Sequence, residues 1–124
     1  MSTTITLNAK AYIWSGFNPN QFGTWRYVGD GVPAGFSYLT SKVESTKKAS
    51  TVRWNLAIPH LATEASSCSC PGGLLGTDYV RIHADLWPGS TTADRDDVLK
   101  QIRSLVLTDD FAASFLSLTQ PASN

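Results

Sequence analysis

The sequence predicts an α+β fold in which antiparallel strands come first and two helices follow at the C-terminus. Up to about residue 90, short β-prone runs are separated by Gly, Pro and Asn turn signals. Two of these runs, 51–61 and 78–87, alternate between apolar and polar residues, which is the period of a half-buried strand. After them the apolar spacing becomes helical. The length of 124 residues and the lack of a linker predict a single domain, 1–124.

The strands are predicted in order along the chain. Runs 4–7 and 11–14 flank Asn8-Ala9-Lys10 and predict a small hairpin within residues 1–15. A sheet spanning 22–88 follows, with a turn at 47–50 and a long Ser-, Cys- and Gly-rich loop at 62–77. Its predicted strands are 24–28, 36–46, 51–61 and 78–87.

Alternation along these strands predicts one apolar and one polar face of the sheet. In 51–61 the apolar set is Val52, Trp54, Leu56 and Ile58, and in 78–87 it is Val80, Ile82, Ala84 and Leu86. The opposite, polar set includes Arg53 and Arg81, and Lys42 extends it onto the strand 36–46. An open polar face with these cations predicts a binding surface or an interior wall.

Two helices are predicted within 91–118. The first has Val98, Ile102, Leu105 and Val106 at helical spacing. Residues 90–92 supply N-cap candidates for it. The cluster Asp94, Asp96 and Asp97 in its early turns admits a metal or acid–base site, but the helix dipole favours acids at this position without either. The second helix starts at 108–110, carries Phe111, Phe115 and Leu118 on one stripe, and ends at Pro121.

Charge is balanced overall but divided along the chain. Ten basic residues match ten acidic ones, which argues against a generic basic nucleic-acid binder. Residues 1–60 nevertheless hold six basic and two acidic residues, whereas residues 61–124 hold four and eight. The N-terminus lacks a signal-peptide pattern, and no apolar run is long enough to cross a bilayer, so a soluble protein made in the cytoplasm, with no membrane partner, is expected.

No nucleophile in register, metal-ligand set or phosphate-binding loop indicates an enzyme, and no cofactor is predicted. His83, flanked by Arg81 and Asp85, is interpreted as a surface histidine. A different class remains open, namely a small β-rich ligand-binding or adhesion module that uses the four tryptophans, Trp14, Trp25, Trp54 and Trp87. Cys68 and Cys70, with the distant His60 and His83, are a weak pattern for a metal site, and the one-residue gap would strain a disulfide between the two cysteines.

Three segments resemble the coat proteins of single-stranded RNA bacteriophages of the levivirus type. The first is the alternating run 51–59, which ends in proline, and the second is the alternating run 79–86. The third is Ser90-Thr-Thr-Ala-Asp-Arg95 with the amphipathic stretch and short helix that follow it to Pro121. Gly31-Val-Pro-Ala34 before the strand 36–46 also fits. The resemblance covers nearly the whole chain and is weakest over residues 1–30.

This resemblance implies a monomer with an N-terminal hairpin, a five-stranded antiparallel sheet and two C-terminal helices. Two monomers join sheet edge to sheet edge into an intertwined dimer with a continuous ten-stranded sheet. The dimers assemble into a T=3-like icosahedral shell that packages the RNA genome, with the maturation protein as a further partner. The protein is then located in the virion, assembled in the cytoplasm of a bacterial host, with no catalysed reaction and no cofactor.

The resemblance also implies that an RNA hairpin binds across three strands and represses translation of the replicase. Tyr79 matches a tyrosine that stacks on an unpaired base. For the strand 36–46 the alternation places Tyr38, Thr40 and Lys42 on the RNA side, whereas an ungapped alignment shifts this register by one. Lys47 and Lys48 in the following turn are further phosphate contacts or ordinary turn residues. The positions implied to contact RNA are Tyr38, Thr40, Lys42, Thr51, Arg53, Asn55, Tyr79 and Arg81.

Some members of this family carry two cysteines in the loop between the last two strands, where they link neighbouring subunits. By resemblance, Cys68 and Cys70 in the loop 62–77 are expected to form inter-subunit disulfides.

Overall fold

The structure, a computed structural model, describes residues 3–29, 31, 35–61, 74–118 and 120. The chain divides into two compact units, Met1–Asp85 and Leu86–Asn124. The first unit contains the sheet and the second contains the helices.

The described part of the first unit is a six-stranded antiparallel sheet in which every strand lies beside its neighbours in sequence. Antiparallel neighbours of this kind need only a turn or a loop between them and no crossover connection. The strands are β1 (Thr4–Leu7), β2 (Lys10–Phe17), β3 (Gly23–Tyr27), β4 (Ser37–Ser45), β5 (Ser50–Leu61) and β6 (Leu74–Leu86). β6 therefore begins inside the predicted loop 62–77.

The hairpin predicted at the N-terminus is present, since β1 pairs with β2 in antiparallel register. The strand count implied by the resemblance is different, because the described residues form one sheet of six strands rather than a hairpin beside a sheet of five. The physical reason is that β2 continues to Phe17, three residues beyond its predicted end, and pairs along its second half with β3. The hairpin is therefore one edge of the sheet.

A two-residue turn joins β1 to β2. Leu7 and Lys10 are the last paired residues, and Asn8 and Ala9 between them have φ of 49° and 62°. Both positive values are typical of the type I′ turn, whose twist matches that of the flanking strands.

A β-bulge lies between Trp14 and Gly16 of β2. Trp14 pairs with Trp25, but Gly16 pairs with Thr24, so Ser15 is an extra residue. Gly16 adopts φ of 104°, which glycine tolerates and other residues rarely do. The extra residue brings Phe17 onto the same face as Trp14, and their ring centroids lie 5.2 Å apart.

The core of the first unit lies on one face of the sheet. Tyr12, Trp25 and Leu39 are buried there, and Ile5, Trp14, Tyr27, Trp54 and Leu56 pack against them. The Trp25 ring lies 5.0 Å from that of Trp14 and 5.9 Å from that of Trp54, measured between centroids. Three of the four tryptophans thus form core packing, which argues against the adhesion module that would use them as a binding surface.

The second unit contains α1 (Thr92–Val106) and α2 (Asp109–Leu116). Thr91 is the N-cap of α1. Its hydroxyl accepts from the Asp94 backbone N–H at 3.2 Å, and the Asp94 carboxylate accepts from the Thr91 backbone N–H at 3.0 Å. This capping box confirms the predicted start of the helix.

The other two acidic residues of the predicted cluster bind within α1 as well. Asp96 pairs with Lys100 at 2.9 Å, and Asp97 accepts from the Gln101 amide at 2.7 Å. The three carboxylates therefore have separate helix-stabilising partners, and they do not converge on one point.

α2 is shorter than its predicted apolar stripe. Thr108 caps it, and the rings of Phe111 and Phe115 lie 5.0 Å apart on one side. Ser117 is the C-cap, and Leu118 follows with φ of 52°. Leu118 is consequently outside the helix, because a left-handed residue there ends the helical backbone. Pro121 lies outside the described residues.

Candidate nucleic-acid interface

The register between β4 and β5 places the predicted RNA-contacting residues of both strands on one face. Lys42 lies opposite Arg53, Thr40 opposite Asn55, and Tyr38 opposite Ala57. Directly opposed residues of an antiparallel pair point to the same side of a sheet. Thr51 is on this side too, opposite Glu44. These residues form what we call the polar face.

Burial along β4 distinguishes the two registers considered from the sequence. Leu39 is 7% exposed and belongs to the core, whereas its neighbour Tyr38 is 40% exposed. This is the register given by alternation, and the ungapped alignment would have reversed it.

β6 adds Tyr79 and Arg81 to the polar face. With Tyr38 and Asn55 they line a shallow depression of about 240 Å³, to which Thr40 and Ala57 also contribute. The guanidinium carbon of Arg81 lies 5.6 Å from the centre of the Tyr79 ring, within cation–π range. Tyr79 is 64% exposed, so one side of its ring is free to receive a planar group.

The Lys42 side chain makes more contacts than the sequence pattern indicates. Its ammonium lies 2.7 Å from the Glu44 carboxylate and donates to the Asn20 carbonyl at 3.1 Å. It also lies 5.5 Å from the centre of the Phe22 ring. The hydrogen bond from Lys42, and then its charge, lower the pKa of Glu44. Lys42 and Glu44 therefore form an ion pair on the polar face.

A second acid–base pair lies near the same end of the polar face. His83 Nε2 is 2.9 Å from Asp85 Oδ1, and the Thr51 hydroxyl donates to the same oxygen at 3.4 Å. The hydrogen bond to His83 is the main cause that lowers the pKa of Asp85. His83 is therefore a half-exposed histidine held by a carboxylate, as interpreted from the sequence.

Arg26 is a polar-face residue that sequence reasoning missed. It lies on β3 directly opposite Tyr38, which places it on the polar face. Its guanidinium carbon is 5.1 Å from the centre of the Phe36 ring. The sequence feature that could have found Arg26 is its position next to Trp25. Side chains alternate along a strand, so the neighbour of a buried core residue points to the other face. β3 is only five residues long, too short for alternation to be read with the clarity of β5.

The turn between β4 and β5 exposes Lys47 and Lys48. It is closed by Thr46, whose hydroxyl accepts from the backbone N–H groups of Lys48 and Ala49 at 3.3 and 3.2 Å. Because the lysine side chains have no part in closing the turn, both are available to solvent or to a phosphate.

Cys68 and Cys70 lie outside the described residues, within 62–73. Among the residues that the structure does describe, no group of three or more His, Cys, Asp or Glu side chains is arranged to hold a metal ion. None of the described helices has the length and apolarity needed to cross a membrane.

Neither a family model nor a curated protein matches the sequence. Solved structures do match it. The virus-like particle of Beihai levi-like virus 21 aligns with a TM-score of 0.82 at 12% identity, over 98% of this chain and 98% of the other. The virus-like particle of bacteriophage ESE058 aligns with a TM-score of 0.81 at 18% identity, over 98% and 99% of the two chains.

The coat protein of bacteriophage EMS014 aligns with a TM-score of 0.77 at 18% identity, over 98% of this chain and 99% of the other. The chain has the fold of a levi-like phage coat protein. The fold expected from the resemblance is therefore confirmed in its main features, an antiparallel sheet followed by two C-terminal helices. In this coat-protein fold the polar face is formed by β3 to β6.

Proposed function

We propose that this chain is the coat protein of an RNA bacteriophage, which dimerises, assembles into a T=3-like icosahedral shell and packages the genome. The likeness to phage particle subunits over 98% of the chain carries the proposal. The maturation protein is a further partner in this proposal, assembly takes place in the bacterial cytoplasm, and the role is structural, without a catalysed reaction.

Exposed apolar surface supports a dimer. On the core face of the sheet, Val43 is 65% exposed, and a depression of about 340 Å³ is lined almost entirely by apolar side chains, among them Ile5, Trp54 and Ile82. In α1, the apolar stripe that includes Val98 and Ile102 is exposed as well. Apolar surface of this extent favours association, and a second copy of the chain offers complementary surfaces.

The position of β6 supports a dimer in which the two copies join at the edges of their sheets. β6 is the longest strand, with 13 residues, and it is the last strand in the order of the sheet. A long edge strand leaves a row of backbone donors and acceptors unpaired. Pairing of two β6 edges would satisfy these groups and would join two six-stranded sheets into one continuous sheet.

The polar face is proposed to bind RNA inside the shell, including a hairpin whose binding represses translation. Its aromatic rings stack on unpaired bases, its arginines contact phosphate, and its Thr and Asn side chains form hydrogen bonds. The proposed contacts are Tyr38, Thr40, Lys42, Thr51, Arg53, Asn55, Tyr79 and Arg81.

Size-exclusion chromatography of the expressed full-length chain, with absorbance at 260 and 280 nm, tests the capsid role. We expect a megadalton peak rich in nucleic acid and round particles in electron micrographs. A small monomer without nucleic acid would contradict the proposal.

Arg81→Gln tests the RNA-binding face, with Lys10→Gln as the matched control. Lys10 is exposed and pairs with Leu7 at the opposite edge of the sheet, so this variant loses the same charge elsewhere. We expect Arg81→Gln to weaken binding of a single-stranded RNA about 10-fold and Lys10→Gln to leave it unchanged. Equal losses in both variants would mean that the site lies elsewhere.

We further propose that Cys68 and Cys70 link neighbouring subunits in the assembled particle. Electrophoresis of purified particles without reductant should show ladders of linked subunits, which disappear in a Cys68→Ser/Cys70→Ser variant. Monomer bands alone under oxidising conditions would contradict this linkage.

A further inference from the structure

Charge on the polar face is distributed unevenly between its two ends. Glu44 lies opposite Thr51 near the turn between β4 and β5, and Thr51 contacts Asp85. Tyr38 lies six residues from Glu44 along β4, about 20 Å away at the rise of a strand. Both acidic side chains are therefore at the end near the turn, which we call the compensated end. We call the other end, around Tyr38, the open end.

At the compensated end each carboxylate has a cationic or titratable neighbour. Glu44 is paired with Lys42, and Asp85 is paired with His83. Arg53 lies between them, opposite Lys42 on β5. After the larger effects of Lys42 on Glu44 and of His83 on Asp85, the charge of Arg53 lowers the pKa of both carboxyl groups further.

This arrangement has a local structural cause. Lys42 and Arg53 are directly opposed cations, and like charges at opposed positions of a strand pair destabilise the sheet. Glu44 and Asp85 offset that repulsion. The same carboxylates reduce the charge that the compensated end can present to a phosphate.

The open end has the reverse character. Within the described part of the chain, no ion pair is formed by Arg26 or Arg81, nor by Arg53 at the compensated end, but of these three only Arg53 lies between two carboxylates. Arg26 and Arg81 each lie over an aromatic ring, Arg26 over Phe36 and Arg81 over Tyr79. Tyr38 lies directly opposite Arg26, and with Tyr79 and Arg81 it lines the depression of about 240 Å³. This end offers free positive charge together with exposed rings.

We propose that Glu44 and Asp85 weaken the RNA contacts of Lys42 and Arg53, so that RNA binds most strongly at the open end: Lys42 is held in an ion pair with Glu44, and Arg53 lies between the two carboxylates. This inference rests on the proposed function, of which it specifies the ligand class. The favoured ligand is a single-stranded RNA segment whose unpaired bases stack on exposed rings. Within a hairpin, such a surface favours the unpaired bases over the duplex stem, which is held mainly through phosphates.

The test uses the variants Glu44→Gln and Asp85→Asn, singly and together, in the full-length chain below its assembly concentration. The probe is a single-stranded RNA 20-mer of random sequence, and its affinity is measured by fluorescence anisotropy between about 0.1 and 1 M salt. Affinity falls as salt rises, and each cation that the substitutions free should make the slope of log affinity against log salt steeper by about 0.7. Per freed cation, the affinity of the variant should therefore fall about 5-fold more than that of the wild-type chain between about 0.1 and 1 M salt.

Asp96→Asn is the matched control, because it removes a carboxylate that is paired with Lys100 in α1, outside the sheet. It should leave the slope unchanged. Arg53→Gln gives a second test, in which the salt dependence of RNA binding is compared between the wild-type chain and the double variant. It should reduce the slope less in the wild-type chain than in the Glu44→Gln/Asp85→Asn background, where it should cancel part of the gain.

An unchanged slope in the double variant, or an equal increase in Asp96→Asn, would overturn the inference while the capsid role stands. A wild-type chain that binds no RNA and forms no particles would instead contradict the proposed function. Loss of thermal stability in the double variant together with an unchanged slope would assign the two carboxylates to the stability of the sheet alone.

Discussion

The two faces of the sheet are built from the same strands but differ in nearly every physical property. The core face buries Tyr12, Trp25 and Leu39 around a stack of indole rings. The polar face carries all the arginines of the described strands. Its carboxylates, Glu44 and Asp85, lie at one end, and Arg26 and Arg81 lie over aromatic rings away from them. Because side chains alternate along a strand, neighbouring residues serve separate purposes.

This difference indicates where each face tolerates change. Substitutions on the core face are expected to act on folding, because they alter packing that many residues share. Substitutions on the polar face are expected to affect folding less, because their side chains are exposed and contact few others, and under the proposed function they act on RNA binding. Adjacent residues in the sequence therefore provide matched pairs of variants.

Leu39→Ala and Tyr38→Ala form the sharpest such pair. Leu39→Ala should lower the free energy of unfolding by about 2 to 5 kcal/mol, since it leaves a cavity in the core. Tyr38→Ala should lower it by about 1 kcal/mol or less while weakening RNA binding. Urea unfolding at fixed protein concentration, followed by tryptophan fluorescence, measures both. Equal destabilisation by the two variants would remove the distinction between the faces.

Gly23→Ala tests how tightly the core face is packed. A Cβ at Gly23 would lie 2.9 Å from Trp14 Cζ3, so the indole would have to shift at a cost of about 1 to 3 kcal/mol. Gly76→Ala in β6 is the control, because nothing lies within 4 Å of its added Cβ. The unfolding midpoints of the two variants should differ, and coincident midpoints would show that the Trp14 region repacks freely.

Tyr79→Leu tests stacking on the polar face. Removal of the ring should cost about 1 to 3 kcal/mol of RNA binding per stacked base, and Tyr79→Phe should retain most of the affinity. Filter binding of a single-stranded RNA measures the loss. If Tyr79→Phe loses as much as Tyr79→Leu, the hydroxyl rather than the ring makes the contact.

Ala9→Gly should stabilise the edge of the sheet by about 0.5 to 1 kcal/mol, because Ala9 has φ of 62° and glycine adopts that conformation without a Cβ clash. The turn sets the register that places Ile5 opposite Tyr12 on the core face. Ala11→Gly, in an extended strand, should destabilise the protein instead. Thermal melts of the two variants should therefore shift in opposite directions, and a shared direction would contradict the role given to the turn.

Acidification should lower the free energy of unfolding by less than the substitutions above, through protonation of Glu44 and Asp85. The pKa values of Glu44 and Asp85 are lowered in the folded chain by Lys42 and His83 respectively. Their stabilising contribution is therefore complete above the ordinary carboxyl pKa and is lost as the pH falls through the folded values. Urea midpoints across the acid range should fall less steeply in Glu44→Gln/Asp85→Asn than in the wild-type chain. Parallel pH profiles would show that these pairs add no stability.

Sequence reasoning found the strands and the helices because their signals are local. Alternation in β5 assigned Trp54 to the core face and Arg53 to the polar face, and the N-cap candidates at 90–92 marked the start of α1. The eight predicted RNA contacts were chosen from alternation and resemblance, and those on β4 and β5 share one face. Arg26 was missed because a strand of five residues gives too few alternations to define a face.

The amino-acid sequence by itself determined the order of the elements, the two-sided pattern of the strands and the caps of the helices, since each depends on residues a few positions apart. Only the tertiary structure decided that the hairpin joins the main sheet, that a bulge at Gly16 turns Phe17 towards Trp14, and that Glu44 and Asp85 lie on either side of Arg53. These features depend on the register between strands, which brings together residues that are distant in sequence.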